Sequence, residues 1–379
     1  MLPHLPKAEE ALTNEDWLSG GAAVMLEPFV LCCGKDVKVP KLCLLGLDGI
    51  GKLLSCGYAG TQDEDGGWSM ADRAIQAAGD CFYYPEDQVK MAIVETVRAA
   101  VCCEGSVVHE TALLSAVKTV YNIYLSSKLE EQREMAKNAL ADVLSEVFTR
   151  MESDGADGEG AEGDAAAEGD GTEAEPAAAE GGETAEEPKE EEKPVSPTAV
   201  VKASQGGSGE IDDDEDAAVS DLNVVQTDCY LLFRALCKIS MKVVDKGLPD
   251  DSEPVRSKIK ALELIMHVLN SSGAVFQTGE KFIYAVKEYL SLSLLKNCVS
   301  GVPSVFHTSV DIFSFLVQHF VDHLKTELGV FFNNIFFRFL ESSNSTFDQK
   351  STVLKVLQTL CSTSSFSDRC WFTMMTETI

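Results

Sequence analysis

The chain has 379 residues, and 61 Asp and Glu against 31 Lys and Arg give a formal charge of -30. Residues 152–220 hold 23 of the acids and 3 of the bases, so this segment carries -20 and the other 310 residues only -10. No basic field is available to draw in a phosphate backbone or an anionic bilayer, which sets aside nucleic-acid binding and an avid membrane surface.

The N-terminus, MLPHLPKAEEALTNEDW, lacks the apolar core of a secretory leader, and no run of 18 apolar residues occurs to span a bilayer. Apolar periodicity predicts helices over roughly 20–33 and 40–57. Inside the second lies Gly46-Leu47-Asp48-Gly49-Ile50-Gly51-Lys52, the opening of a G-x-x-x-x-G-K phosphate loop. Leu53 stands where that loop needs Ser or Thr for magnesium, and Leu44, Leu47, Ile50 and Leu54 carry a helical stripe through the glycines. A P-loop nucleotide hydrolase is therefore the disfavoured alternative, and a helix across 44–56 excludes it.

Breakers at Gly60, Gly66-Gly67, Pro85 and Gly105 separate these helices from further ones at 86–103 and 110–124. In the latter, Leu113, Val117, Val120 and Tyr124 mark one apolar face, and His109 opens the helix in what reads as a local polar contact with Glu110. Another helix is expected at 129–151. Residues 152–220, rich in Glu, Asp, Gly and Ala, bury too little apolar surface to offset their ordering entropy, so they read as a disordered acidic linker. The run Asp212-Asp213-Asp214-Glu215-Asp216 lacks the spacing of a calcium loop. Beyond it, helices are expected at 221–242, 255–270, 277–298, 305–320 and 323–341. His319 and His323, four apart, would share a helix face, but no H-E-x-x-H accompanies them. Thr346-Phe347-Asp348-Gln349 has capping-box spacing ahead of a last helix.

Of the 12 cysteines, Cys43, Cys56, Cys102, Cys103, Cys237 and Cys361 fall in apolar helical stretches and no C-x-x-C occurs. They read as buried free thiols of a cytosolic protein, with no metal ligand set and no cofactor implied. The fold expected is all-α: an armadillo/HEAT-like α-solenoid in two halves, 1–151 and 221–379, joined by the linker 152–220.

Tyr121-Asn122-Ile123-Tyr124-Leu125 places polar handles on a large apolar area, as binding faces do. With Leu47–Leu54, Val108-His109-Glu110, Ala116–Leu125 and Val147–Glu152, this block resembles the dimerisation and cyclophilin-binding (DCB) domain of the large brefeldin-inhibited Arf guanine-nucleotide exchange factors. Asp228–Lys242, Arg256-Ser257-Lys258-Ile259 and Ala285–Leu290 resemble the domain homologous upstream of the catalytic one (HUS) in the same family. After Leu360-Cys361 the sequence departs: the family's HUS box and catalytic domain do not follow, so the exchange reaction is not expected of this chain.

The resemblance implies a non-catalytic regulatory and docking module, cytoplasmic and peripheral at the trans-Golgi network. Its expected partners are an Arf or Arf-like small GTPase and a second copy of itself, with membrane association through those partners. Lys118, Tyr121, Asn122 and Tyr124 are then candidates for a partner or inter-domain surface, and Arg234 and Lys238 for contacts with acids of the first half. A generic helical-repeat scaffold unrelated to Arf is the alternative.

Overall fold

The computed structural model describes residues 22–34, 37, 39–58, 60, 69–106, 108–158, 222–244 and 247–362. The first half contributes α1 (Ala22–Val30), α2 (Pro40–Leu53, continued by a π turn Leu54–Tyr58), α3 (Met70–Asp80), α4 (Asp87–Cys102), α5 (Glu110–Ser126) and α6 (Glu130–Gly158). The second contributes α7 (Val224–Ser240), α8 (Glu253–Ser271), α9 (Ala274–Thr278) and α10 (Glu280–Ala285). A π turn Val286–Leu290 joins α10 to α11 (Ser291–Asn297), and α12 (Pro303–His319) follows. Then come α13 (Lys325–Phe331), a π turn Phe332–Phe336, α14 (Phe337–Glu341) and α15 (Phe347–Ser362). No β-strand occurs among the described residues, so the all-α expectation holds.

Sequence rules account for most boundaries. Pro40 starts α2, Pro254 lies in the first turn of α8 and Pro303 starts α12, positions where the missing N–H costs nothing. Thr346 and Gln349 close the predicted capping box, with Gln349 N donating to Thr346 Oγ1 at 3.2 Å and Thr346 N to Gln349 Oε1 at 3.0 Å. Three expectations need correction. Helix α3 was not anticipated: it is short and alanine-rich, and its capping box uses Asp72 opposite Ser69 rather than the usual Glu or Gln. Helix α12 ends at His319, because Phe320 leaves helical geometry at φ -122 and ψ 12. His323 therefore sits in the following turn, while His319 stacks on Phe315. Cys56 is exposed, in the π turn, rather than buried. The cysteines Cys32, Cys33, Cys43, Cys81, Cys229, Cys237 and Cys298 are buried free thiols.

The described residues up to Ala156 and from Leu222 onward form one compact unit. Within it, α2 packs on α4, α3 on α4 and α5, and α7 on α8, while α8 also meets α12 further along the chain. The run of acids from 159 to 221, including Asp212–Asp216, lies outside the described residues; α6 itself continues to Gly158, past the point where the linker was placed.

The P-loop-like glycines have a packing role. Gly46 and Gly49 lie on the face of α2 that meets α1, where a Cβ would come within 2.7 Å of Phe29 O at the first and 2.2 Å of the Phe29 ring at the second. Lys52 is exposed and pairs with Asp48 one turn back at 2.6 Å, instead of reaching over a phosphate cradle. The helix through 44–56 removes the nucleotide-hydrolase alternative. Gly49→Ala should lower the unfolding free energy by about 1–3 kcal/mol through overpacking. Gly51→Ala, with nothing within 4 Å of its Cβ, should raise it by about 0.5–1 kcal/mol. Urea unfolding followed by circular dichroism measures both.

Candidate functional site

The candidate residues cluster where α5 and α6 of the first half meet α7, α8 and α9 of the second. Leu113, Val117 and Val120 bury one face of α5, and its polar residues are distributed around the remainder. Tyr121 is only 6 % exposed, and its hydroxyl donates to Ser257 O at 2.5 Å, with Ser257 Oγ at 3.1 Å. Burial pushes the Tyr121 phenol up to about 12, so it stays a neutral donor. Tyr124 is half-buried, and the Lys260 ammonium lies 4.9 Å from its ring centroid. That ammonium also pairs with Glu263. Two sequence candidates thus contact the second half, whereas Lys118 is exposed and Asn122 half-exposed.

Lys118, Tyr121 and Asn122 together line a groove of about 340 Å³, whose other wall is Leu232, Ala235, Leu236 and Ile239 of α7. Leu114, Val117 and Leu125 make its floor apolar, and Lys242 faces it from just beyond α7. Arg234, on α7 but outside this lining, is buried with its guanidinium 5.2 Å from the Tyr289 ring centroid. Lys238 is exposed.

Sequence reasoning missed the groups that hold the seam shut. His109 does not make a local contact: its Nδ1 lies 2.6 Å from Asp228 Oδ2, a residue 119 positions away. The same carboxylate accepts the Glu110 N–H at 2.7 Å, taking the N-cap role at α5 that His109 leaves unfilled. Glu110 sits at φ 47, a left-handed conformation that costs a non-glycine residue about 1–2 kcal/mol. At the other end of α5, Arg256 donates to Leu125 O at 2.9 Å. Glu152, near the end of α6, accepts the Val275 and Phe276 N–H groups at 2.9 and 3.1 Å and so caps α9. Two turns earlier on α6, Ser145 Oγ lies 2.7 Å from His267 Nε2 of α8. Beneath these polar contacts Phe276 joins both halves, with ring centroids 5.9 Å from Phe148 and 5.1 Å from Phe233. Asp228, Arg256 and Glu152 all fall within blocks the sequence singled out, but nothing local tells an exposed charge from one that caps a distant helix.

Residues 7–155 match the Mon2/Sec7/BIG1-like dimerisation and cyclophilin-binding domain, and residues 225–371 match the Mon2/Sec7/BIG1-like HUS domain. The chain belongs to this family, of which it carries the dimerisation and cyclophilin-binding domain and the HUS domain. It is 27% identical over 473 residues to brefeldin A-inhibited guanine nucleotide-exchange protein 1 of Rattus norvegicus, covering 88% of this chain and 26% of that protein. Arabidopsis thaliana proteins of the same name are similar: number 2 is 30% identical over 399 residues (89% of this chain, 22% of that one). Number 3 is 31% identical over 409 residues (90% and 23%). The chain spans about a quarter of the length of the curated relatives it matches.

Asp228 gives the seam a measurable signature. Burial holds its carboxyl above its ordinary value, opposed by the His109 contact and the Glu110 amide. A raised folded value means the folded state binds the proton more readily, so stability is lost as pH rises through that value. Wild type should therefore gain stability relative to Asp228→Asn as pH falls toward the ordinary carboxylate range. At neutral pH, Asp228→Ala should cost about 1–3 kcal/mol by removing the cap and orphaning its partners. Asp228→Asn, still able to accept the amide, should cost less; urea melts across a pH series test both.

Proposed function

We propose that this chain acts as a non-catalytic regulatory and docking module of an Arf guanine-nucleotide exchange factor, serving vesicle traffic at the trans-Golgi network. One observation carries this reading: the regions matching the two regulatory domains pack as a single unit and leave an apolar groove, rimmed by Lys118 and Lys242, open across both. A face shared by two domains responds to their docking, which is what a regulatory surface requires. The chain divides for this purpose into a DCB-like part at 1–151, a linker at 152–220 and a HUS-like part at 221–379. Its partners are an Arf or Arf-like small GTPase and a second copy of itself. Membrane attachment comes through those partners, since among the described residues no helix is long and apolar enough to cross a bilayer.

The roles of the candidate residues divide by burial. Lys118 and Asn122 are free to touch a partner, with Lys238 on an exposed surface nearby in sequence to the groove wall. Tyr121, Tyr124 and Arg234 are held by contacts inside the unit and shape the face from beneath.

Binding of the full chain to immobilised Arf-class GTPases, loaded with GDP or a GTP analogue, tests the reading. Lys118→Glu should weaken capture about tenfold, a loss of about 1.4 kcal/mol, with helicity unchanged. Tyr121→Ala should instead lower stability by about 3–5 kcal/mol, as truncation of a buried aromatic does. Absence of binding to any such GTPase in either nucleotide state, together with a monomer by light scattering, would overturn the proposal.

A further inference from the structure

Three cysteines of the first half converge on one point. Cys33 lies in the turn after α1, Cys43 faces inward from the start of α2, and Cys81 caps the C-terminus of α3. All are buried, Cys43 and Cys81 completely, and their Sγ atoms lie within 4.8 Å of one another. Cys43 Sγ and Cys81 Sγ are 2.9 Å apart. That is longer than the ~2.05 Å of a disulfide and shorter than the ~3.8 Å between two thiolates that each hold a zinc at ~2.3 Å. Cys81 Sγ also points at the Cys33 carbonyl at 3.6 Å, and Cys33 Sγ at the Cys43 carbonyl at 4.0 Å.

Two further features separate this cluster from thiols that merely fill a core. A Cβ on Gly46 would lie 2.8 Å from Cys33 Sγ, so the absent side chain of α2 leaves the space that this sulfur occupies. Helices α1 and α3 both end at the cluster, and the negative ends of their dipoles favour a cation there over an isolated thiolate. Sulfur donors of this kind select soft ions over magnesium or calcium.

We propose that Cys33, Cys43 and Cys81 form a three-thiolate site for one soft d10 metal ion, Cu(I) or Zn(II). On binding, the three S–H protons leave to solvent and three metal–sulfur bonds form, with no change in oxidation state of metal or sulfur. The ion parts the Cys43 and Cys81 sulfurs by about 0.9 Å to reach thiolate spacing. The donor count separates the two ions. Three sulfurs complete a trigonal Cu(I) site, whereas zinc takes four ligands, and the neighbouring Cys32 Sγ donates instead to Pro28 O at 3.2 Å.

The test is titration of the full chain, purified anaerobically without a metal-chelating tag and stripped with chelator, with Cu(I) or Zn(II) against a chromophoric competitor. About one ion per chain is expected in wild type and in Cys56→Ser, falling below about a tenth in Cys43→Ser and Cys81→Ser. Cys32→Ser should leave copper binding unchanged, and X-ray absorption should count three sulfurs around copper. Sulfur-to-metal charge-transfer absorbance in wild type gives a readout that needs no variant to fold. Three results would each overturn the site: no stoichiometric ion in wild type, unchanged affinity in a helical Cys43→Ser protein, or a Cys43–Cys81 disulfide in protein isolated without oxidant.

Discussion

Charged side chains that cap helices across the seam are the constraint on which the unit depends. Asp228 stands at the N-terminus of α5, Arg256 at its C-terminus, and Glu152 at the N-terminus of α9. In each case the sign of the charge opposes the end of the helix dipole it meets, and the cap comes from the other half of the chain. A helix end that relies on a distant residue is complete only when the halves are docked. Folding of α5, docking of α7 and α8, and the shape of the groove between them are therefore one event rather than three.

The seam also accounts for how a long acidic insertion is tolerated. Closing a loop costs only about 0.6 kcal/mol more for each doubling of its length, and the buried contact of Phe276 with Phe148 joins the chain on either side of residues 159–221 directly. The docking free energy resides in aromatic packing and the caps. Function inherits this arrangement: any partner seated over Lys118 and Asn122 also touches α7, so its binding is linked to the docked state of both domains.

Much of the fold was legible because helix signals are local. The period of Leu113, Val117 and Val120, the Thr346–Gln349 box and the prolines at helix starts each act within a turn or two. Where a local signal had two meanings, tertiary packing decided. Gly46 and Gly49 matched the spacing of a phosphate loop that Leu53 and the helical stripe already disfavoured, and the position of Phe29 shows what they do instead. His109 read as a local contact because its true partner lies 119 residues away. Helix α3 escaped notice because its alanines give little periodic contrast and its capping acid is an Asp.

By itself, then, the sequence determined an all-α chain, the approximate run of its helices, the acidic segment between its halves and its kinship with a family of regulatory domains. Those properties follow from periodicity, composition and short blocks, each carried by residues near one another in the chain. Tertiary structure alone decided which of Tyr121, Asn122 and Lys118 remains open to a partner, and which charges serve as caps. It also brought Cys33, Cys43 and Cys81 to one point from three separate elements. The physical reason is the same in every case: burial, ion pairing and thiol clustering depend on distances across the packed unit, and spacing along the chain carries no record of them.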